Sequence, residues 1–104
     1  ITRMDGDGNM MDEYQRLDQE ALNYVLADRK GRWFLMRLLD RARVNVPTFH
    51  RSALITAYNE GRRSVGLEYL AMLTRDVDHI NKKQQAENEY ALEIARIEGG
   101  KKHV

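Results

Sequence analysis

A single proline, Pro47, interrupts 104 residues whose apolar side chains recur almost throughout at helical spacing. No run alternates Val, Ile and Thr, and no Asn-Gly or Asp-Gly pair sits between apolar stretches, so strands and hairpins have no support. The pattern predicts an all-α fold: a helical hairpin or a small three- to four-helix bundle with an extended C-terminal helix. The length leaves room for one domain. A helical chain this short buries a limited share of its surface and gains core by associating with others.

The spacing divides the chain. Residues 1–10 are polar and predict a flexible N-terminal arm. Met10, Tyr14, Leu17, Ala21 and Val25 then share one helical face, predicting a first helix from Met11 to Ala27 with Asp12 and Glu13 in its first turn. Asp28 is placed to cap the next helix, Lys30 to Arg43, whose Leu35, Leu38, Leu39 and Ala42 form the densest apolar stripe, beside Trp33 and Phe34. Asn45-Val46-Pro47 is expected to end it.

A third helix is predicted from near Ser52 to Ile80 with two apolar rows. Leu54, Tyr58, Gly61, Val65, Tyr69 and Met72 form one; Ile55, Gly66, Leu70, Leu73, Val77 and Ile80 contribute to the other. Two rows call for neighbours on two sides, as at the centre of a bundle, and residues 11–80 are taken as the helical body. Asn81 to Glu89 holds good helix formers without an apolar face. Tyr90, Ile94 and Ile97 follow as a short stripe before Gly99-Gly100, so residues 81–98 read as a projecting helix whose stripe serves assembly, and residues 99–104 as a basic tail.

Composition narrows the function. No cysteine is present, which removes disulfides, thiolate metal sites and a cysteine nucleophile. No apolar run approaches the roughly 20 residues needed to cross a bilayer, and no charged-then-apolar leader is visible, so neither a membrane nor a secretory protein is expected. The absence of an opening Met suggests residues ahead of Ile1.

Chemistry-bearing patterns are sparse. Asp5-Gly6-Asp7-Gly8-Asn9 matches the opening of a calcium loop, but its sixth position holds Met10 and its twelfth Arg16. A solvated turn is the better reading. His50, His79 and His103 lie at no zinc spacing and are read as solvated side chains. Nucleophile elbows and phosphate-binding glycine loops are missing. The expectation is a protein that is not an enzyme, with no catalytic residue, metal, cofactor or small-molecule substrate.

Net charge is +1 overall but -4 over residues 1–27, +6 over 28–66 and -1 over 67–104. A basic centre between acidic ends suits helices that attract one another or an acidic partner. Arg37 and Arg41 share a face that can track phosphates, yet the residues between them read as core leucines, and no aromatic platform is visible beside them. DNA is therefore a conceivable partner without a dedicated site.

The most distinctive stretch is Glu60-Gly61-Arg62-Arg63-Ser64-Val65-Gly66-Leu67. Together with Gly31-Arg32, Leu38-Leu39, Phe49 in the loop, and Tyr58 two residues before Glu60, it resembles a family of small tailed-bacteriophage proteins, mainly of short-tailed phages. There a Trp- and Leu-rich helix precedes a helix bearing aromatic-x-Glu-Gly-x-Arg-x-Val-Gly. The resemblance spans about Val25 to Leu73 and carries no catalytic residues. Trp33, Phe34, Tyr58, Glu60, Gly61, Arg63, Val65 and Gly66 are its candidate packing or interaction residues.

The resemblance implies a virion structural or assembly protein made in the host cytoplasm. Its expected place is the head interior or the neck near the portal, as an internal core protein ejected with the DNA. Its partners would be copies of itself, in a ring or cluster, and portal or core proteins. A DNA-associated protein of packaging or regulation is the alternative, as is a chaperone or scaffold absent from the mature particle. Gly61 and Gly66 each cost about 1 kcal/mol of helix propensity. Close approach of another helix, with Trp33 or Phe34 over the gap or from another subunit, would compensate.

Overall fold

Four helices make up the computed structural model, which describes residues 9–102. They are α1 (Asn9–Ala27), α2 (Arg29–Arg41), α3 (Ala53–Leu73) and α4 (Val77–Lys102), and no strand occurs among the described residues. The protein is an all-α, small helical bundle. The acidic stretch at 5–8, most of the expected arm, and His103 lie outside the described residues.

The corner between α1 and α2 is set by local chemistry. Asp28 adopts an extended backbone and its carboxylate accepts the Gly31 N–H at 3.1 Å, capping α2. A Cβ on Gly31 would stand 2.3 Å from the Val25 carbonyl oxygen, so only glycine lets the two helices turn this closely. Helix α2 ends earlier than Pro47 would require. Arg43, at φ 61°, turns the chain into the left-handed region; its N–H donates to Asp40 O and the Val44 N–H to Leu39 O. This pair of bonds is the Schellman stop, with Val44 folded back onto the helix and buried.

Helix α3 starts at a Ser52 cap and stops at Leu73, seven residues before the expected end. Thr74 turns its hydroxyl onto Ala71 O at 3.2 Å, and Asp76 takes the His79 N–H at 2.9 Å. Both side chains compete for backbone groups that a continuous helix would use, so the chain breaks at 74–76. Val77 and Ile80 thus belong to α4. Gly99 and Gly100 do not stop α4, which runs on to Lys102.

The expected projecting helix at 81–98 is also corrected. Helix α4 packs against α1, α2 and α3, and Ala86 in its polar stretch is 1% exposed. A methyl group there lets α4 approach closely, so no apolar stripe is needed. The core comprises Leu22 and Leu26 of α1, Leu35, Met36 and Leu39 of α2, Val44 of the following turn, Leu73 of α3, and Ala86 of α4.

Two expected apolar faces turn out not to be core. On α1 the inward row is Leu22 and Leu26, while Tyr14, Leu17 and Ala21 are exposed and Val25 is half-buried. On α3 the inward row is Asn59, Gly66, Leu70 and Leu73, while the row from Leu54 to Tyr69 faces out. Helix α3 packs on α2 and α4; only its C-terminal end, at Glu68, Tyr69 and Met72, comes alongside α1, and the row from Leu54 to Val65 has no neighbour among the described residues. The radius of gyration, 17.1 Å, exceeds the roughly 13 Å of a compact domain of about 100 residues, and the body is open and flat.

Candidate functional site

The distinctive motif of α3 divides into two faces with different work. Asn59, Arg63 and Gly66 turn toward the segment joining α2 to α3. The Asn59 amide donates to Thr48 O at 3.2 Å, and Arg63 Nε donates to Val44 O at 3.2 Å. Glu60 accepts a hydrogen bond from the Thr48 hydroxyl. A Cβ on Gly66 would meet Val44 Cγ1 at 2.5 Å and Ala42 Cβ at 2.7 Å. This half of the motif therefore clamps a loop that lacks regular backbone pairing of its own, and the residues over Gly66 are Val44 and Ala42. Neither Trp33 nor Phe34 covers it.

Tyr58, Gly61 and Val65 form the other half and face outward. Gly61 does not mark close approach within the protomer: a Cβ there would meet nothing within 4 Å. The Arg62 guanidinium lies 4.9 Å from the centre of the Tyr58 ring, a cation–π arrangement, and donates to Asn59 Oδ1. Phe49 stands 82% exposed on the loop, in a shallow hollow with Pro47 and Arg63. Two exposed aromatics, Phe49 and Tyr58, thus lie within the basic segment 28–66.

Trp33 serves α4 instead. Its ring and that of Tyr90 have centroids 5.0 Å apart, tilted by 47°. The Tyr90 hydroxyl donates to Asp40 Oδ2 at 2.7 Å and accepts from Arg37 at 3.4 Å. Burial pushes the Tyr90 phenol above its ordinary range, and Asp40 adds to the shift against the opposing Arg37. Tyr90 is therefore committed to its own protomer and is not the head of a free assembly stripe. Ile94 is half-buried, and Ile97 lines an open groove of about 460 Å³ with Trp33, Ala86 and Tyr90. Phe34 is exposed on α2.

Sequence reasoning missed two polar anchors. Arg32 is buried and pairs with Glu89 on α4, 57 residues away. Hydrogen bonds from Arg32 hold the Glu89 carboxyl below the ordinary glutamate range. His79, read as solvated, is 6% exposed: its ring lies 2.8 Å from Asn23 Oδ1 and 3.1 Å from Asp76 Oδ2, with the Gln19 amide beside it. The one signal in the sequence was Arg32 of Gly31-Arg32, a charge within the apolar helix that needs an acid.

No described helix is long and apolar enough to cross a membrane. A family model described as Bbp19-like phage protein matches residues 22–85. Those residues run from the first core leucine of α1 through the motif helix and into α4. Neither a curated protein nor a solved structure matches the chain.

Proposed function

Because the chain belongs to the Bbp19-like phage protein family, we propose that this phage protein is a non-enzymatic structural or assembly component of the particle. Its place in this reading is the head interior or the neck near the portal, as a core protein that can leave with the DNA. The observation that carries the reading is the outward apolar row of α3, from Leu54 to Tyr69, on a body too open to cover it. A protein that leaves a helix face of this kind uncovered acts by contact. Mass spectrometry of purified particles is the test: peptides of this chain at a fixed stoichiometry are expected. A chain abundant in infected cells and missing from particles would instead make it an assembly chaperone or scaffold.

One observation favours the second reading, a DNA-associated role. Phe49 and Tyr58 are exposed on the same basic segment as Arg41, Arg43 and Arg51. Aromatic faces among cations suit stacked bases and phosphates. Under this reading, submicromolar binding of single-stranded or duplex DNA falls by about 10³-fold or more between roughly 50 and 200 mM salt. Weak, salt-insensitive binding rejects it.

A further inference from the structure

We infer that the outward row of α3 is the face by which two copies of this chain associate, antiparallel and crossing beside Gly61; this stands independently of where the protein acts.

The row is exposed along its length: Leu54 83%, Tyr58 65%, Val65 52% and Tyr69 46%. No charged residue interrupts the row itself, although Arg62 and Glu68 flank it. A single exposed Leu on a monomer needs no explanation, but a continuous apolar row of about 15 residues, roughly 22 Å of helix, does.

Gly61 says what kind of occupant fits. It costs about 1 kcal/mol of helix propensity relative to Ala. Gly66 is compensated by Val44 and Ala42, whereas Gly61 has nothing within 4 Å. Its missing side chain leaves a notch in the middle of the row, where another helix backbone can come close.

A second copy fits this row, because the notch lies at its midpoint, where an antiparallel copy of the same helix would cross it. An isologous contact requires that when residue i meets residue j, j also meets i. Running a second α3 antiparallel sets Leu54 opposite Tyr69 and Tyr58 opposite Val65, in both directions at once. The same register puts the two-fold between Gly61 and Arg62, so the two Gly61 residues flank the crossing point one residue apart. Each large side chain then faces a large one near the ends and a smaller one toward the centre. Side chains exposed to this degree offer on the order of 500 Å² per copy, so the pair hides at most about 1,000 Å², in the range of weak, transient interfaces. The association is accordingly weak and concentration-dependent.

The test uses the full chain. Sedimentation velocity up to about 1 mM protein reads affinities down to the millimolar range, and a monomer–dimer equilibrium is expected. Gly61→Glu places a charge beside the crossing point but meets open space in the protomer. It should keep the wild-type helical signal and melting at low concentration while dimerisation falls at least about 10-fold, or 1.4 kcal/mol. A wild-type chain that stays monomeric throughout, or a Gly61→Glu chain that associates as wild type does, overturns the inference. The first result leaves the row to a different protein. Since the native chain has no cysteine, Tyr58→Cys and Val65→Cys proteins can be mixed under mild oxidation. A disulfide between the two variants, with little in either alone, is expected. Self-linked Tyr58→Cys and Val65→Cys dimers, or no cross-link at all, overturn the antiparallel register.

Discussion

Arg32 and Glu89 meet through two parallel hydrogen bonds of 2.9 Å each, and the remaining guanidinium nitrogen of Arg32 donates to Leu26 O at 2.8 Å. One buried side chain of α2 thus ties the last turn of α1 to the middle of α4. The planar fork of arginine fits this task, since it satisfies a carboxylate and a carbonyl at once. Arg32→Ala should cost about 3 kcal/mol, because it leaves a carboxylate without its partner at a partly buried site. Arg32→Lys should recover less than half of that. Urea unfolding of the two variants against wild type checks both.

The same pair sets the acid limb of stability. The Glu89 pKa is depressed in the folded protein by Arg32, so the unfolded chain binds that proton more readily. The stabilisation is therefore fully present above the ordinary glutamate pKa of 4.5 and is lost as pH falls through the depressed value. Asp76, held low first by its hydrogen bond from the His79 backbone, acts in the same direction. Glu89→Gln should flatten the fall in melting temperature between about pH 5 and pH 3, at the expense of lower stability at pH 7. An unchanged acid limb would show that Glu89 does not govern it.

The two glycines of the motif should respond with opposite signs. Gly66→Ala forces a Cβ against Val44 and Ala42 and should destabilise by about 1–3 kcal/mol. Gly61→Ala meets open space and should stabilise the dilute protein by up to about 1 kcal/mol. Thermal melts at low concentration, where association does not contribute, separate them.

Arg43 holds a left-handed backbone that glycine adopts freely, at φ 61°. Its side chain has no acidic partner among the described residues. Arg43→Gly should therefore raise stability by about 0.5–1 kcal/mol while keeping the Schellman stop of α2. Denaturant midpoints give the sign directly.

Truncation after Ile80 removes Ala86, Glu89 and Tyr90 together. Leu26, Leu35 and Met36 lose their cover and Arg32 its acid. The truncated chain should lose cooperative melting and much of its helical circular dichroism. A folded remnant with a sharp transition would return α4 to the role of an appendage.

Local chemistry determined much of this protein from its sequence alone. The 3.6-residue period and the lone Pro47 dictate helices, Asp28 and Ser52 cap the two they precede, and the Glu-Gly-x-Arg stretch marks the helix that clamps its own loop. Each of these rests on groups within a few residues, or on glycine's lack of a side chain, which a sequence displays. Which faces are buried was left to the tertiary structure. Apolar spacing nominated Tyr14, Leu17, Leu54 and Tyr58 for the core, yet Ala86, Asn59, Arg32 and His79 are inside instead. A methyl group that permits close approach, and polar groups satisfied by partners 11, 56 or 57 residues away, carry no periodic signature. Burial of such residues becomes favourable only after the distant partner arrives, so tertiary packing alone decided it.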